Sequence, residues 1–452
     1  MRKYISIIAL FFLFCCKKSD WFDIKSDSSL TVPTTLTDFQ YLLDDFTIVS
    51  QNTPGLGEVG SDDHYAPENS VMVPAEQNAY TWTNTLPNLK VDDWNKSYEK
   101  IFRCNLVLEG LKKIIPANSN ELIQYNMIKG NALFHRAKNY FDLAQVYGQP
   151  YKASSSASDL GIPLREGIDI TAPVTRASVK DTYERIITDL LTAVELLPNI
   201  SQLKSRGSKA SVFGLLARTY LIMGVYDKAG ASADSSLSLY NTLLDFNKIG
   251  ATVPNLGRFN AETIFYSQTT TFWFSIWMSA YVFVDPSLYA LYNENDLRRT
   301  RFFTVSGGNI VFKGNYNNST AGFSGLATDE QYLIKAECYA RANNVAAAMK
   351  TLNDLLRTRW NSNVVYPELT AGNAEGALRI ILTERRKELL FRTLRWMDLR
   401  RLNLDDRFRV TFSHKKNGIT YTLEPDSHKY TLPIPDDVIT FSNIPQSPGW
   451  VK

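Results

Sequence analysis

Residues 213–236 read FGLLARTYLIMGVYDKAGASADSS, and residues 332–352 read YLIKAECYARANNVAAAMKTL. The first stretch places Phe213, Leu216, Ala217 and Tyr220 ahead of Ala229, Ala233 and Ser236. The second places Tyr332, Ala336 and Tyr339 ahead of Ala348 and Leu352. In both, the small residue stands three positions before the tyrosine and twelve before the next alanine. That is the spacing of the tetratricopeptide hairpin, a helical repeat of ~34 residues. Its small side chains let two antiparallel helices approach closely, and its aromatic side chains fill the space beside the contact.

Helical periodicity extends outward from these copies. Trp94, Tyr98, Ile101, Cys104 and Leu108 share one helix face. A second helix runs from Leu122 through Tyr140 to Tyr147, where Gly148 and Pro150 stop it. Ala137 and Tyr140 within it start a third, partial copy of the repeat, whose second helix is displaced to residues 179–198 and stops at Pro198. The intervening stretch, 148–178, is rich in Ser, Gly, Pro and Asp. Two regions break the pattern. Residues 50–92 read as long loops. Residues 245–328 mix turn residues with aromatics, include Gly307-Gly308, and suggest short strands around Ile310–Lys313. Long ordered loops in a compact protein usually carry function. The expected fold class is mainly α: tetratricopeptide-like helical hairpins with a large irregular loop region carrying a few short strands.

Composition excludes more than it selects. The formal net charge of +3 gives no case for nucleic-acid binding. The four histidines, His64, His135, His414 and His428, are scattered, and no HExxH or CxxC motif supplies a metal site. Four cysteines are too few for a disulfide framework, and Cys104 and Cys338 fall in helical patterns as small buried residues. No paired-carboxylate motif for glycoside hydrolysis can be located. Adjacent Asp62 and Asp63 normally point apart, whereas that chemistry needs a defined gap. The chain is therefore expected to bind rather than to catalyse, without cofactor or metal. Its aromatic share of 12% calls for either core or ligand surface to absorb it.

The first sixteen residues are two cations, a short apolar run from Tyr4 to Leu13, and Phe14-Cys15-Cys16. The run is too short to span a bilayer, which takes ~20 apolar residues. It resembles a bacterial lipoprotein signal, with Cys16 as the lipidated residue and Cys15 as the small residue before it. Residues 1–16 are thus expected to be a signal peptide and 17–30 a tether. The body divides into an N-terminal helical region, 31–244, and a C-terminal region with aromatic loops, 245–452, packed together as one unit.

Along this body the sequence resembles the SusD/RagB family of outer-membrane nutrient-binding lipoproteins of the Bacteroidetes. The matching residues are Gly60-Ser61-Asp62-Asp63; Trp94, Tyr98, Ile101 and Asn105; the run Arg136 to Leu143; and Ala217 to Leu221. Further along come Glu384 to Leu389, Arg395-Trp396-Met397-Asp398-Leu399-Arg400-Arg401, Pro433-Ile434-Pro435 and Gln446 to Trp450. The resemblance implies a lipid-anchored protein on the cell exterior that sits as a lid on a SusC-like TonB-dependent transporter barrel. Its hairpins would face the barrel, and its irregular region would hold an oligosaccharide, or in some members a peptide. A tetratricopeptide-type protein–protein adaptor is the rival reading.

Candidate site residues follow. If residues 272–292 are helical, Trp273, Trp277 and Tyr281 lie on one face; they read as a buried stripe or, given further aromatics on the other side, as a ligand surface. The resemblance places the segment before Asp296 beside the ligand, and it implies that Trp82 stacks on a sugar ring. Asp62, Asp63, His64 and Tyr65 would then supply hydrogen bonds, with a solvated loop or N-cap as the alternative for the acidic pair. Arg395 and Asp398, three apart on a helix, are expected to pair within a structural clamp.

Overall fold

The computed structural model describes residues 32–87, 91–250, 256–270, 282–313 and 316–450. The expected signal peptide and Cys16 lie outside these residues. So do the tether and the Trp273, Trp277 and Tyr281 stripe.

The helical hairpins fall where the spacing put them. Helices Lys209–Ile222 and Tyr226–Leu239 form one, and Thr328–Arg341 and Val345–Leu356 the other. One helix of each hairpin, Lys209–Ile222 and Val345–Leu356, begins at a side chain that satisfies open backbone N–H groups. Ser208 accepts from the Ser211 amide while Ser211 accepts from the Ser208 amide, and Asn344 accepts from the Ala347 amide. Ala217, Ala229, Ala233, Ala336 and Ala348 are all fully buried at the contacts. Ser236 Oγ crosses the first hairpin to donate to the Ala210 carbonyl at 2.8 Å. The two hairpins then pack on each other through Tyr226–Leu239 and Thr328–Arg341. A Cβ on Gly230 would come 3.1 Å from Cys338 Cβ, so small residues are needed on both sides of that crossing.

The partial copy is a true hairpin with a long excursion. Helix Ser119–Tyr147 packs on Val179–Leu196, and the chain between them carries the two-stranded pair Leu160–Pro163 with Arg176–Ser178. Arg136 forks onto Asp189 with two bonds of 2.8 Å and reaches Asn105 at 2.9 Å, joining this hairpin to helix Asp92–Leu111. Helix Leu36–Asp44 lies across the last, with Phe39 filling the space above Gly110. Among the described residues no helix is long and apolar enough to cross a membrane.

Residues 50–92 are more regular than the turn-rich composition suggests. They hold short helices at Leu56–Val59 and Pro74–Thr81, the second opened by a proline at its first position. The 245–328 region carries short antiparallel pairs: Thr263–Phe265 with Leu326–Ala327, and Phe303–Ser306 with Asn309–Phe312. Contacts between the two regions of the chain are numerous and buried. Arg218 forks onto Glu330, and the Tyr266 amide donates to the Lys204 carbonyl. The C-terminal part returns to the long helix: the Leu432 amide donates to the Val146 carbonyl, and Arg176 donates to Pro445 O and Ser447 Oγ.

Candidate functional site

The acidic loop is built on helix Leu56–Val59, which rides over Trp396. A Cβ on Gly57 would meet the Trp396 ring at 2.7 Å, and one on Gly60 would crowd both Trp396 and the Trp82 indole. Those glycines let the loop lie close enough for its next residues to reach the 384–401 segment. Asp62 accepts two bonds from Arg395, at 2.6 and 2.7 Å. Asp63 accepts from Arg386 at 2.6 Å, and the same guanidinium donates to the Asp62 carbonyl. The Arg395 charge and its hydrogen bonds hold the Asp62 carboxyl well below the usual carboxylate range, outweighing burial. Glu58, one turn earlier, has no such partner. Burial and the neighbouring Asp63 charge push its pKa up to about 8.

This arrangement corrects three expectations. Asp62 and Asp63 are not free acceptors for sugar hydroxyls, because Arg395 takes both oxygens of Asp62, and Asp63, with one oxygen on Arg386, is buried. Arg395 does not pair with Asp398, since the helix turns their side chains to different partners; Asp398 is shared by Arg385 and Arg401, each at 2.7 Å. Trp82 offers no face to a ligand. It is 0% exposed, in a left-handed conformation at the end of its helix, with Nε1 donating to the Gly60 carbonyl at 3.1 Å. Its ring stacks on His414 at 4.6 Å, and Tyr80 covers the imidazole at 4.1 Å. The hydrophobic content of the loop sends its tryptophan inward, because a buried indole gains more than an exposed one. His64 and His414 are also buried, and desolvation lowers their pKa values to about 3 and about 4, leaving both neutral.

Tyr65 differs. It is only half-buried, and its strand pairs with Phe283–Val284, opposing Tyr65 to Phe283. The two rings lie 5.7 Å apart, and the Tyr65 hydroxyl donates to Asn309 Oδ1 at 3.1 Å. Phe283 is one of the further aromatics that the sequence places in 272–292, whereas Asn309 is not singled out there. The Gly307-Gly308 turn was the available sign for Asn309, since both glycines take positive φ and bring the strand back beside Tyr65. The described chain ends at Thr270 and resumes at Val282. Thr270 is hydrogen-bonded to the Thr53 carbonyl, and Val282 to Val284 lead into the Tyr65 pairing.

A cluster of carboxylates lies deeper. Glu262, Asp329 and Glu388 bring oxygens within 4.8 Å of one another. Arg359 bridges Glu262 and Glu388, and Arg392 takes Asp329, so the cluster is neutralised by arginine.

Stacked helical hairpins that support an irregular, partly aromatic face define a tetratricopeptide-like helical protein. Residues 20–221 match a family described as starch-binding and associating with the outer membrane, and residues 313–450 match the SusD family. The chain belongs to the SusD/RagB family. A SusD-like protein P2 of Formosa agariphila is 23% identical over 429 residues, covering 79% of this chain and 80% of that one. A putative sugar-binding protein of Bacteroides vulgatus superposes with a TM-score of 0.77 at 24% identity, over 93% of this chain and all of the other. A SusD superfamily protein of Bacteroides thetaiotaomicron gives 0.75 at 21%, over 92% and 100%. A laminarin-binding SusD-like protein gives 0.65 at 21%, over 91% and 98%.

Proposed function

We propose that this chain is a cell-surface lipoprotein that binds an oligosaccharide and delivers it to a partner SusC-like TonB-dependent transporter of the outer membrane. The observation that carries the reading is the fold, shared over more than nine-tenths of the chain with proteins described as sugar-binding and laminarin-binding. The ligand face we assign is Tyr65 with Phe283; Trp273, Trp277 and Tyr281 remain aromatic ligand candidates from the sequence and lie outside the described residues. Half-buried aromatic rings present an apolar surface to the C–H face of a pyranose, and Asn309 beside them offers hydrogen bonds. Asp62 and Asp63 enter as positioning residues, held by arginine so that the Tyr65 strand is fixed.

The N-terminal and C-terminal regions act as one unit in this reading, anchored through Cys16. The hairpins are the surface turned to the barrel. A glycan array probed with the detergent-solubilised protein, with peptides on the same array, tests the ligand class. Mild-detergent extraction from cells grown on the inducing nutrient tests the partner. A large β-barrel recovered in near-equal amount is expected, and recovery of the protein alone counts against delivery.

A further inference from the structure

Arg400 stands apart from every other buried arginine among the described residues. Arg136, Arg218, Arg298, Arg359, Arg385, Arg392 and Arg401 each have a carboxylate within 2.8 Å. Arg400 has none. Its Nη atoms donate to the Ala144, Gln145 and Gly148 carbonyls at the end of the long helix, and its Nε has no partner. Arg176 holds the same helix end, donating to the carbonyls of Tyr147 and Gly161, again without a carboxylate. The end of a helix carries only about half a negative charge. Two guanidinium groups therefore leave a net positive charge there. Burial alone pulls both pKa values down to about 10, so both stay ionised at neutral pH.

A cavity of about 200 Å³ opens over Arg400. Pro150, Leu404, Pro425 and Pro448 give it apolar walls, and Lys152, Ser427 and His428 line it with donors. The one carboxylate among its lining residues, Asp426, has both oxygens taken by Arg409 at 2.7 Å. Lys152 is exposed and has no ion pair among the described residues. The volume is that of roughly seven water molecules, enough for one sugar ring.

We propose that this cavity is a second binding site that takes the acid group of an acidic sugar, a carboxylate or sulfate ester, between Arg400 and Lys152. The proposal rests on the reading of the chain as a glycan-binding protein, and it adds the charge of the preferred ligand. An ionised acceptor forms stronger hydrogen bonds with guanidinium and ammonium groups than a neutral hydroxyl does.

The test is calorimetry on the full, detergent-solubilised protein with tetragalacturonate, its methyl ester, a 6-sulfated galactan oligomer, and free glucuronate. We expect at least one acidic oligomer to bind tenfold or more tighter than the uncharged ester, with the stronger of the carboxylate and sulfate arms identifying the acid. Lys152→Glu, at an exposed position, is expected to remove that preference, and Arg400→Gln likewise if its melting temperature is retained. Equal binding of acid and ester, or an unchanged preference in Lys152→Glu, overturns the proposal. Neutral glycans binding on the array without any acid preference would sink this site and leave the proposed function standing. If no glycan binds on the array, the proposed function fails, and free glucuronate then decides the cavity by itself: binding lost in Lys152→Glu supports it, and no binding overturns it.

Discussion

Arg395 and Asp62, 333 positions apart, meet through two nearly equal hydrogen bonds of 2.6 and 2.7 Å. Both side chains are close to nine-tenths buried. Removing Arg395 leaves Asp62 with only the longer Arg386 contact of 3.3 Å in a site that water reaches poorly, which costs up to ~3–5 kcal/mol, the figure for a fully stranded buried charge. Arg395→Ala is therefore expected to lower the urea midpoint by up to that equivalent. The double variant Arg395→Ala with Asp62→Asn should recover a good part of the loss, because the stranded charge is gone. A double variant no more stable than the single would show that the pair does not act as a unit.

Glu58 gives the region a pH dependence. Its carboxyl titrates at about 8 in the fold, against 4.5 for an ordinary glutamate. Below pH 4.5 both folded and unfolded chains keep the proton. Between 4.5 and 8 the unfolded chain releases it and the folded chain does not, so stability is lost as pH rises through that window. Glu58→Gln should remove this component. Its melting temperature is expected to draw level with or exceed that of the parent progressively from pH 5 to pH 8, with no further gain above. Parallel melting curves across that range would refute the assignment.

Trp82 and Tyr65 separate core from surface. Trp82→Ala empties a fully buried indole site and should cost ~3–5 kcal/mol, seen as early melting. Tyr65→Ala removes a half-exposed ring and one hydrogen bond, worth about 1 kcal/mol of stability. On the proposed ligand face it should weaken affinity for the best array hit roughly tenfold or more, the loss of an apolar contact of ~1.5–3 kcal/mol. A Tyr65→Ala protein that binds as the parent does moves the face elsewhere.

Cys16→Ala should abolish palmitate labelling and release the protein from the outer-membrane fraction. Multiple acyl chains hold far more firmly than one, so loss of the anchor should be near complete. Continued labelling of the variant would place the lipid on another residue.

The hairpins were readable because their determinants are local. Ala217, Tyr220 and Ala229 sit at spacings that only a pair of packed helices reconciles, and Pro150 and Pro198 mark their ends in the sequence. The site was less legible because its determinants are distant. Nothing near Asp62 announces Arg395 or Arg386, and Asp398 is a nearer partner for Arg395 by position, although the fold gives it to Arg385 and Arg401. Trp82 illustrates the same point. The family resemblance implies a ring that stacks on a sugar, but His414, brought from far downstream, closes over it. Half-burial at Tyr65 depends on strand pairing with Phe283, which periodicity over two residues cannot reveal.

The end of helix Ser119–Tyr147 is completed by residues that come much later in the chain. Thr431 and Arg400 reach the Gly148 carbonyl from 283 and 252 positions downstream. During synthesis that terminus is made early and stays open until the second half arrives. Contacts so far apart form slowly, and half-finished intermediates that expose apolar surface aggregate. The N-terminal region is therefore a poor candidate for folding ahead of the rest, and a truncated gene product should be insoluble rather than half-functional. Timing, in this protein, belongs to the whole chain: it is best kept unfolded until its later residues are at hand, then closed in one cooperative event.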